Sequence, residues 1–314
     1  MTRTGDVIPD GAGLIRNPIV ILAAPRSGSS LLFGLLSAHP KLWSLYRESN
    51  ELLEGPFDPL SSGRPSNALT ERDLDRVSRD RLLRAFYARA GNLEVIPPFR
   101  RLPLEGRGRR RVSITIARLS APFKRPPIRL VEKSPKNSLR VPFIRALFPD
   151  ARFLHLTRDP RSNIASLVRA WQIPDRYKTY PLPAGYRIDG YEGTSWSFML
   201  QPGWQELDGR TLAEVCADQW RACNEATFRD LAELQETRAL RLRYEDLISD
   251  PMGSLRLIAN WANLEARPFD RFARALPTLQ SSTPPDERKW LTLRDEVERV
   301  LPMVREMSGR LGYD

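Results

Sequence analysis

The sequence predicts an α/β protein of three layers, with a central, mainly parallel sheet flanked by helices. Three observations carry this expectation: short apolar runs bounded by turn residues, amphipathic stretches of helical period between them, and a regular alternation of the two. The 314 residues are enough for one sizeable core. With 41% hydrophobic, 9% aromatic and 28% charged residues, disordered, collagenous and coiled-coil classes are excluded.

The first apolar run, Ile19-Val20-Ile21-Leu22-Ala23, reads as a buried strand. It runs through the turn Pro25-Arg26-Ser27-Gly28 into an apolar helix from Ser29 through Leu36 to Ala38. A short second strand around Trp43 to Tyr46 leads to Arg47-Glu48-Ser49 and a Pro/Gly/Ser-rich stretch ending near Asn67. Thr70, with Asp73 at the capping-box position, opens a charged helix toward Ala90. Ile128 to Val131 is the next strand. Asn137 then caps a helix carrying Leu139, Phe143, Ile144 and Leu147, with Pro142 in its first turn or kinking it.

Phe153-Leu154-His155-Leu156 is a further strand; Arg158-Asp159-Pro160 ends it and starts the helix Arg161 to Trp171. From Gln172 to Arg210 the periodicity is lost and Tyr177, Tyr180, Tyr186, Tyr191, Trp196, Phe198 and Trp204 crowd in, as in a lid or binding loop. A helix from Thr211 to about Gln235, the strand Leu240 to Arg243, a helix opened by Asp250-Pro251 toward Trp261, and a last helix from Arg294 to Ser308 complete the order. Gly309 and Gly312 lie near its stop. We expect one domain over 1–314, with a basic insertion at about 91–130 and an aromatic-rich lid at about 172–210.

Lys and Arg number 49 against 38 Asp and Glu, a formal charge of +11. Most of the excess is local: ten basic residues between Gly91 and Leu130 face only Glu94 and Glu105. Such a segment can hold nucleic acid, an anionic lipid surface or an acidic substrate, or simply be a solvated face. No helix-turn-helix, zinc-finger or RNA-recognition pattern accompanies it, which argues against nucleic acid. The longest apolar run, Ile19 to Ala24, is bracketed by Pro18 and Pro25 and is too short to span a bilayer; the mostly polar residues before it, with Asp6 and Asp10, and Pro25-Arg26-Ser27-Gly28 directly after it make a secretory leader unexpected. Cys216 and Cys223, seven apart in a helix, are too distant to bridge. Reduced thiols suit a cytoplasmic location.

A strand passing through a small-residue turn into a helix offers backbone N–H groups and the positive helix end to an anion. Ala23-Ala24-Pro25-Arg26-Ser27-Gly28-Ser29-Ser30 has this P-loop-like form, yet Ala23 replaces the first Walker glycine and Ser29 its lysine. Without that lysine, nucleoside triphosphate hydrolysis loses its main electrostatic device, so the loop fits a single 5′-phosphate-like group. Arg158 at a strand end, with Ser162 and Ser166 one turn apart on the following helix, suits a second phosphate.

These residues resemble the sulfotransferases that use 3′-phosphoadenosine 5′-phosphosulfate (PAPS). Ala24 to Ser30 is similar to their 5′-phosphosulfate loop, and Arg158-Asp159-Pro160-Arg161 with Ser166 to their 3′-phosphate signature. Tyr244-Glu245-Asp246-Leu247 after a strand is a third likeness. Ala38-His39-Pro40, Lys133-Ser134-Pro135, Ser281-Ser282, Lys289-Trp290 and Leu311-Gly312-Tyr313-Asp314 resemble most the bacterial relatives of tyrosylprotein sulfotransferases.

The resemblance implies sulfuryl transfer from PAPS to an acceptor hydroxyl, with no metal required. Arg26 and Lys133 would face the leaving phosphosulfate, with Ser281 donating a hydrogen bond. Arg26, Ser27, Gly28, Ser29, Ser30, Arg158, Ser166, Tyr244, Lys289 and Trp290 would bind the cosubstrate. Glu48 stands nearly where the relatives carry their base, one residue out of register, so Glu51, Glu54, His39 and His155 remain open. The aromatic segment suits a small-molecule alcohol, phenol, lipid or glycoside. Arg107 to Arg111 would suit an acidic peptide around a tyrosine, and a non-catalytic polyanion binder is the alternative of another class. A homodimer is compatible with all of these.

Overall fold

The computed structural model describes residues 11–96, 109–174, 176–273 and 287–313. Seven strands and eleven α-helices are found along them. Strand β1 (Ile19–Leu22) leads to helix α1 (Ser29–Ser37), β2 (Trp43–Ser44), α2 (Asn50–Phe57), α3 (Pro59–Ser62), α4 (Arg76–Arg89) and α5 (Arg109–Ser120). Next come β3 (Leu130–Lys133), α6 (Val141–Leu147), β4 (Arg152–Thr157), α7 (Pro160–Trp171), β5 (Lys178–Pro181) and β6 (Ser195–Ser197). Helix α8 (Leu212–Leu231), β7 (Ala239–Arg243), α9 (Tyr244–Ser249), α10 (Pro251–Ala262) and α11 (Arg294–Leu311) follow.

The main sheet has the order β2-β3-β1-β4-β7, with every pair parallel. Alternation along the buried strands divides the core between two faces. Ile19, Ile21, Leu154, Leu156 and Leu242 pack with Leu32 and Leu35 of α1 and with Leu255 and Ile258 of α10. Val20, Leu22, Leu130 and Phe153 pack with Phe143 and Ile144 of α6 and Phe86 of α4. The expected three layers are present. The chain leaves β1 toward β3 and β2 on one side and later builds β4 and β7 on the other, so the turn after β1 lies at the reversal of strand order, where open α/β sheets bind ligands.

Several sequence expectations shift. Thr70 does make a capping box with Asp73, but on a short 3-10 turn; α4 itself is capped by Asp75, whose carboxylate accepts from Ser78 N at 2.8 Å. The helix placed after Asn137 is a 3-10 turn, Pro135–Leu139, followed by α6 with Pro142 in its first turn, where no N–H is needed.

The segment 172–210, expected to lose regular structure, instead folds into the antiparallel pair β5–β6, whose strands are too short and too bulged to give a visible period. Three of its seven rings are buried in the core, and Tyr186, Tyr191 and Phe198 pack against it half-buried. Trp196 meets Trp171 and Trp204 at 5.1 and 5.3 Å between centroids, and Tyr180, Trp196 and Trp204 are buried with α7 and α8. No helix among the described residues is long and apolar enough to cross a membrane.

Candidate active site

The carboxyl ends of four parallel strands converge on the turn that follows β1. Arg26 sits in it at φ 68° and Gly28 at φ 90°, both left-handed. A glycine is required at 28 for a second reason, since a Cβ there would lie 2.3 Å from the Tyr244 ring. The turn is braced from behind. Ser138 Oγ accepts from Ala23 N at 3.0 Å, and the Asn163 amide bonds Ser27 Oγ at 2.7 Å. Ser29 then starts α1, and no side chain caps that helix, which leaves its first N–H groups directed at whatever anion the turn receives.

From β4, Arg158 reaches back to this turn and its Nη1 donates to Arg26 O at 2.9 Å. Its guanidinium lies 4.6 Å from the centre of the Tyr244 ring, while its Nε is buried without a hydrogen-bond partner among the described residues. Asp159 caps α7 by accepting from Arg161 N at 2.8 Å, and Pro160 occupies the first helical position. Ser166, two turns along α7, accepts from Arg26 Nε at 3.4 Å. The two phosphate motifs therefore adjoin, and Arg26 and Arg158 share one place.

From β3, Lys133 Nζ lies 2.7 Å from Glu48 Oε1 and 3.2 Å from Ser30 Oγ. Glu48 is 36% exposed in its side chain against 9% for Lys133, so the carboxylate is the solvent-facing member of the pair. Beneath them Glu132 is buried; it accepts from Ser49 N at 3.3 Å and from Asn137 Nδ2. Burial raises its carboxyl to about 7.

The other candidate bases are engaged elsewhere. Glu51 pairs with Arg47, and Glu54 binds Lys136 and lies 3.5 Å from Arg140, inside a cluster closed by Tyr180. His39, at the far end of α1, holds Glu265 O at 3.1 Å and packs on Phe269. His155 is buried in mid-strand against Asn224 at 3.0 Å, and burial lowers it to about 4.

Trp290 lies 5.9 Å from the Arg161 guanidinium, and the Lys289 carbonyl accepts from Arg169, which fastens this turn to α7. Ser281 lies outside the described residues, as does Arg107. In the basic segment, Lys124 donates to Tyr87 O at 2.8 Å and burial lowers it to about 8; Arg129 donates to Asn17 O and Ala262 O. Those two cations are internal fastenings.

Sequence reasoning missed three contributors. Tyr177 OH accepts from Arg26 Nη1 at 2.9 Å, and nothing in the sequence marked it among seven aromatics of one segment. Asn163 was legible only as the residue one turn after the Asp159 cap, on the inner face of α7. Glu245 accepts from Asp159 N at 3.0 Å and from Tyr313 OH at 3.0 Å, joining the β7 end and the last residues of the chain to the α7 cap.

The family model described as "Sulfotransferase family" matches residues 18–182, more than half of the chain. The chain belongs to the sulfotransferase family. It is 32% identical over 127 residues to the omega-hydroxy-beta-dihydromenaquinone-9 sulfotransferase Stf3 of Mycobacterium bovis, and equally to that of Mycobacterium tuberculosis. That stretch is 40% of this chain and 26% of the relative, so the likeness spans about a quarter of the length of the curated proteins.

Among solved structures, this family member is similar to STF9 from Mycobacterium avium, with 17% identity and a TM-score of 0.48 over 95% of this chain and 78% of that one. It is also similar to the sulfotransferase domain from the curacin biosynthetic pathway, with 18% identity and a TM-score of 0.44 over 96% and 99%.

Proposed function

We propose that the protein transfers the sulfuryl group of PAPS to the hydroxyl of a small-molecule acceptor: an alcohol, phenol, lipid or glycoside. The observation that carries this reading is Lys133, whose ammonium touches both the phosphate-binding turn at Ser30 and the Glu48 carboxylate. An anion cradle, a cation and a base thereby meet where donor and acceptor must react.

The residues present fit the donor. The Gly28 turn and uncapped α1 suit its 5′-phosphosulfate, and Arg158, whose buried Nε has no partner among the described residues, and Ser166 suit its 3′-phosphate. Tyr244, Lys289 and Trp290 would lie along the nucleotide. When bound, the donor supplies an activated sulfuryl group. The chain's own work is electrostatic and positional. Glu48 accepts the hydroxyl proton as the acceptor oxygen bonds to sulfur, while Arg26 and Lys133 offset the charge gathering on the bridging oxygen as its bond to sulfur breaks. Ser281 is proposed as a further donor to that oxygen. This chemistry calls for no metal. The buried thiols of Cys216 and Cys223 support a cytoplasmic location.

Incubation with PAPS and a panel of hydroxyl acceptors, read by mass, tests the proposal. A sulfate added to one acceptor class and lost in Glu48→Ala is expected. No transfer to any class, together with no thermal shift by the desulfated nucleotide, overturns it.

A further inference from the structure

Glu48 is held at both of its carboxylate oxygens. Lys133 Nζ donates to Oε1 at 2.7 Å, and Asn50 Nδ2 donates to Oε2 at 2.9 Å. Asn50, the first residue of α2, is itself fixed, because Ser134 Oγ donates to its Oδ1 at 2.7 Å. Chemistry dictates the orientation of this amide. An ionised carboxylate can only accept and must face the NH2 group, which leaves the carbonyl oxygen for the hydroxyl proton of Ser134.

These bonds belong to a longer match between two short stretches of chain. Glu132, Lys133 and Ser134, consecutive at the end of β3, bond Ser49, Glu48 and Asn50 respectively, three consecutive residues at the entry to α2. The parallel pairing of β2 with β3, which sets Ser44 opposite Val131, brings the two stretches side by side. Ser134 is fully buried and Asn50 only partly, so the anchor is internal and the outer end of the relay meets the solvent-facing carboxylate.

We propose that Asn50, anchored by Ser134, is a positioning residue that aims the Glu48 carboxylate at the acceptor hydroxyl. A single bond from Lys133 would leave the carboxyl group free to turn about its last torsion, which is broad for glutamate. Lys133 cannot fix that plane alone, since its three donors rotate together and it also serves Ser30. A second donor on the other oxygen sets the plane, and with it the direction of the lone pairs left free. The inference rests on sulfuryl transfer with Glu48 as base, and adds to that reading the group that orients the base.

The test compares the parent with Asn50→Ala, Asn50→Asp and Ser134→Ala in the sulfation of phenol, octanol and octyl glucoside by PAPS, from about pH 6.5 to about pH 9. Asn50→Ala should lower kcat about ten- to hundredfold near pH 6.5, with the KM for PAPS and the thermal shift by the desulfated nucleotide unchanged. The deficit should narrow as pH rises, because ionisation of the acceptor in solution increasingly replaces the base. Asn50→Asp keeps the size of the side chain but donates nothing when ionised, and should be at least as impaired. Ser134→Ala should show the same pattern with a smaller loss. A loss equal at every pH, or Asn50→Asp working at the parental rate, overturns the positioning role and leaves sulfuryl transfer standing. Failure of the parent to sulfate any of the three acceptors counts against sulfuryl transfer itself and overturns this inference with it.

Discussion

Lys133 and Glu48 form an ion pair 2.7 Å apart whose lysine ends β3 and whose glutamate follows the neighbouring parallel strand β2 by four residues, and the lysine also touches Ser30 in the first turn of α1. An ammonium shared in this way couples the state of the carboxylate to the occupancy of the turn. Glu48→Gln should lower kcat by about a hundred- to ten-thousandfold. Affinity for the desulfated nucleotide should not fall, because the Lys133 ammonium released from the carboxylate still adjoins the turn at Ser30. Lys133→Ala should lower kcat by a comparable factor and also weaken the nucleotide; calorimetry beside turnover assays separates the two.

Arg158 is half-buried, bonded to the Arg26 carbonyl and stacked on Tyr244, with Nε unused among the described residues. Arg158→Ala should abolish most of the thermal shift given by the 3′-phosphorylated nucleotide. It should leave the weaker shift from the nucleotide lacking that phosphate nearly unchanged. Equal losses with both ligands would show a general collapse of the turn.

Gly28→Ala meets two separable obstacles, a left-handed backbone and the Tyr244 ring at 2.3 Å. Together they should destabilise the protein by about 2–4 kcal/mol, read from chemical unfolding. Adding Tyr244→Ala should recover the steric part and leave roughly 1 kcal/mol of backbone strain.

Glu132 and His155 bend the pH dependence of stability in opposite directions. The folded state holds a proton on Glu132 up to about pH 7, whereas the unfolded chain releases it near 4.5, so this group takes stability away as pH rises through that window. His155 stays neutral down to about pH 4 when folded but gains a proton near 6.5 when unfolded, so it adds stability as pH rises from 4 to 6.5. The parent should therefore be nearly level between pH 4.5 and 6.5. Glu132→Gln should uncover a rise on the order of 2 kcal/mol across that interval, measured by urea titration. A flat profile in the variant would show that the two groups do not oppose one another.

The strand-turn-helix units were legible because each is local: a buried run, a turn whose residues tolerate its angles, a cap within three positions. The same locality exposed the β1 turn, Arg158 and Ser166. What remained hidden depends on distant pairing. Nothing local distinguishes Tyr177, which meets Arg26, from Tyr180, which closes on Glu54. Glu132 reads like any charged residue ending a strand until the parallel register places it under Ser49. The Gln172 to Arg210 segment misled because strands of four and three residues cannot display a period.

The strand order carries a kinetic consequence. Turn residues from position 26, a lysine at 133, an arginine at 158 and a tyrosine at 244 become neighbours only once β3, β1, β4 and β7 lie side by side. Such long separations in sequence make for slow assembly, and no early subset of strands brings all four together. Nucleotide affinity should therefore emerge late and all at once during refolding, and its appearance can serve as the clock for completion of the sheet.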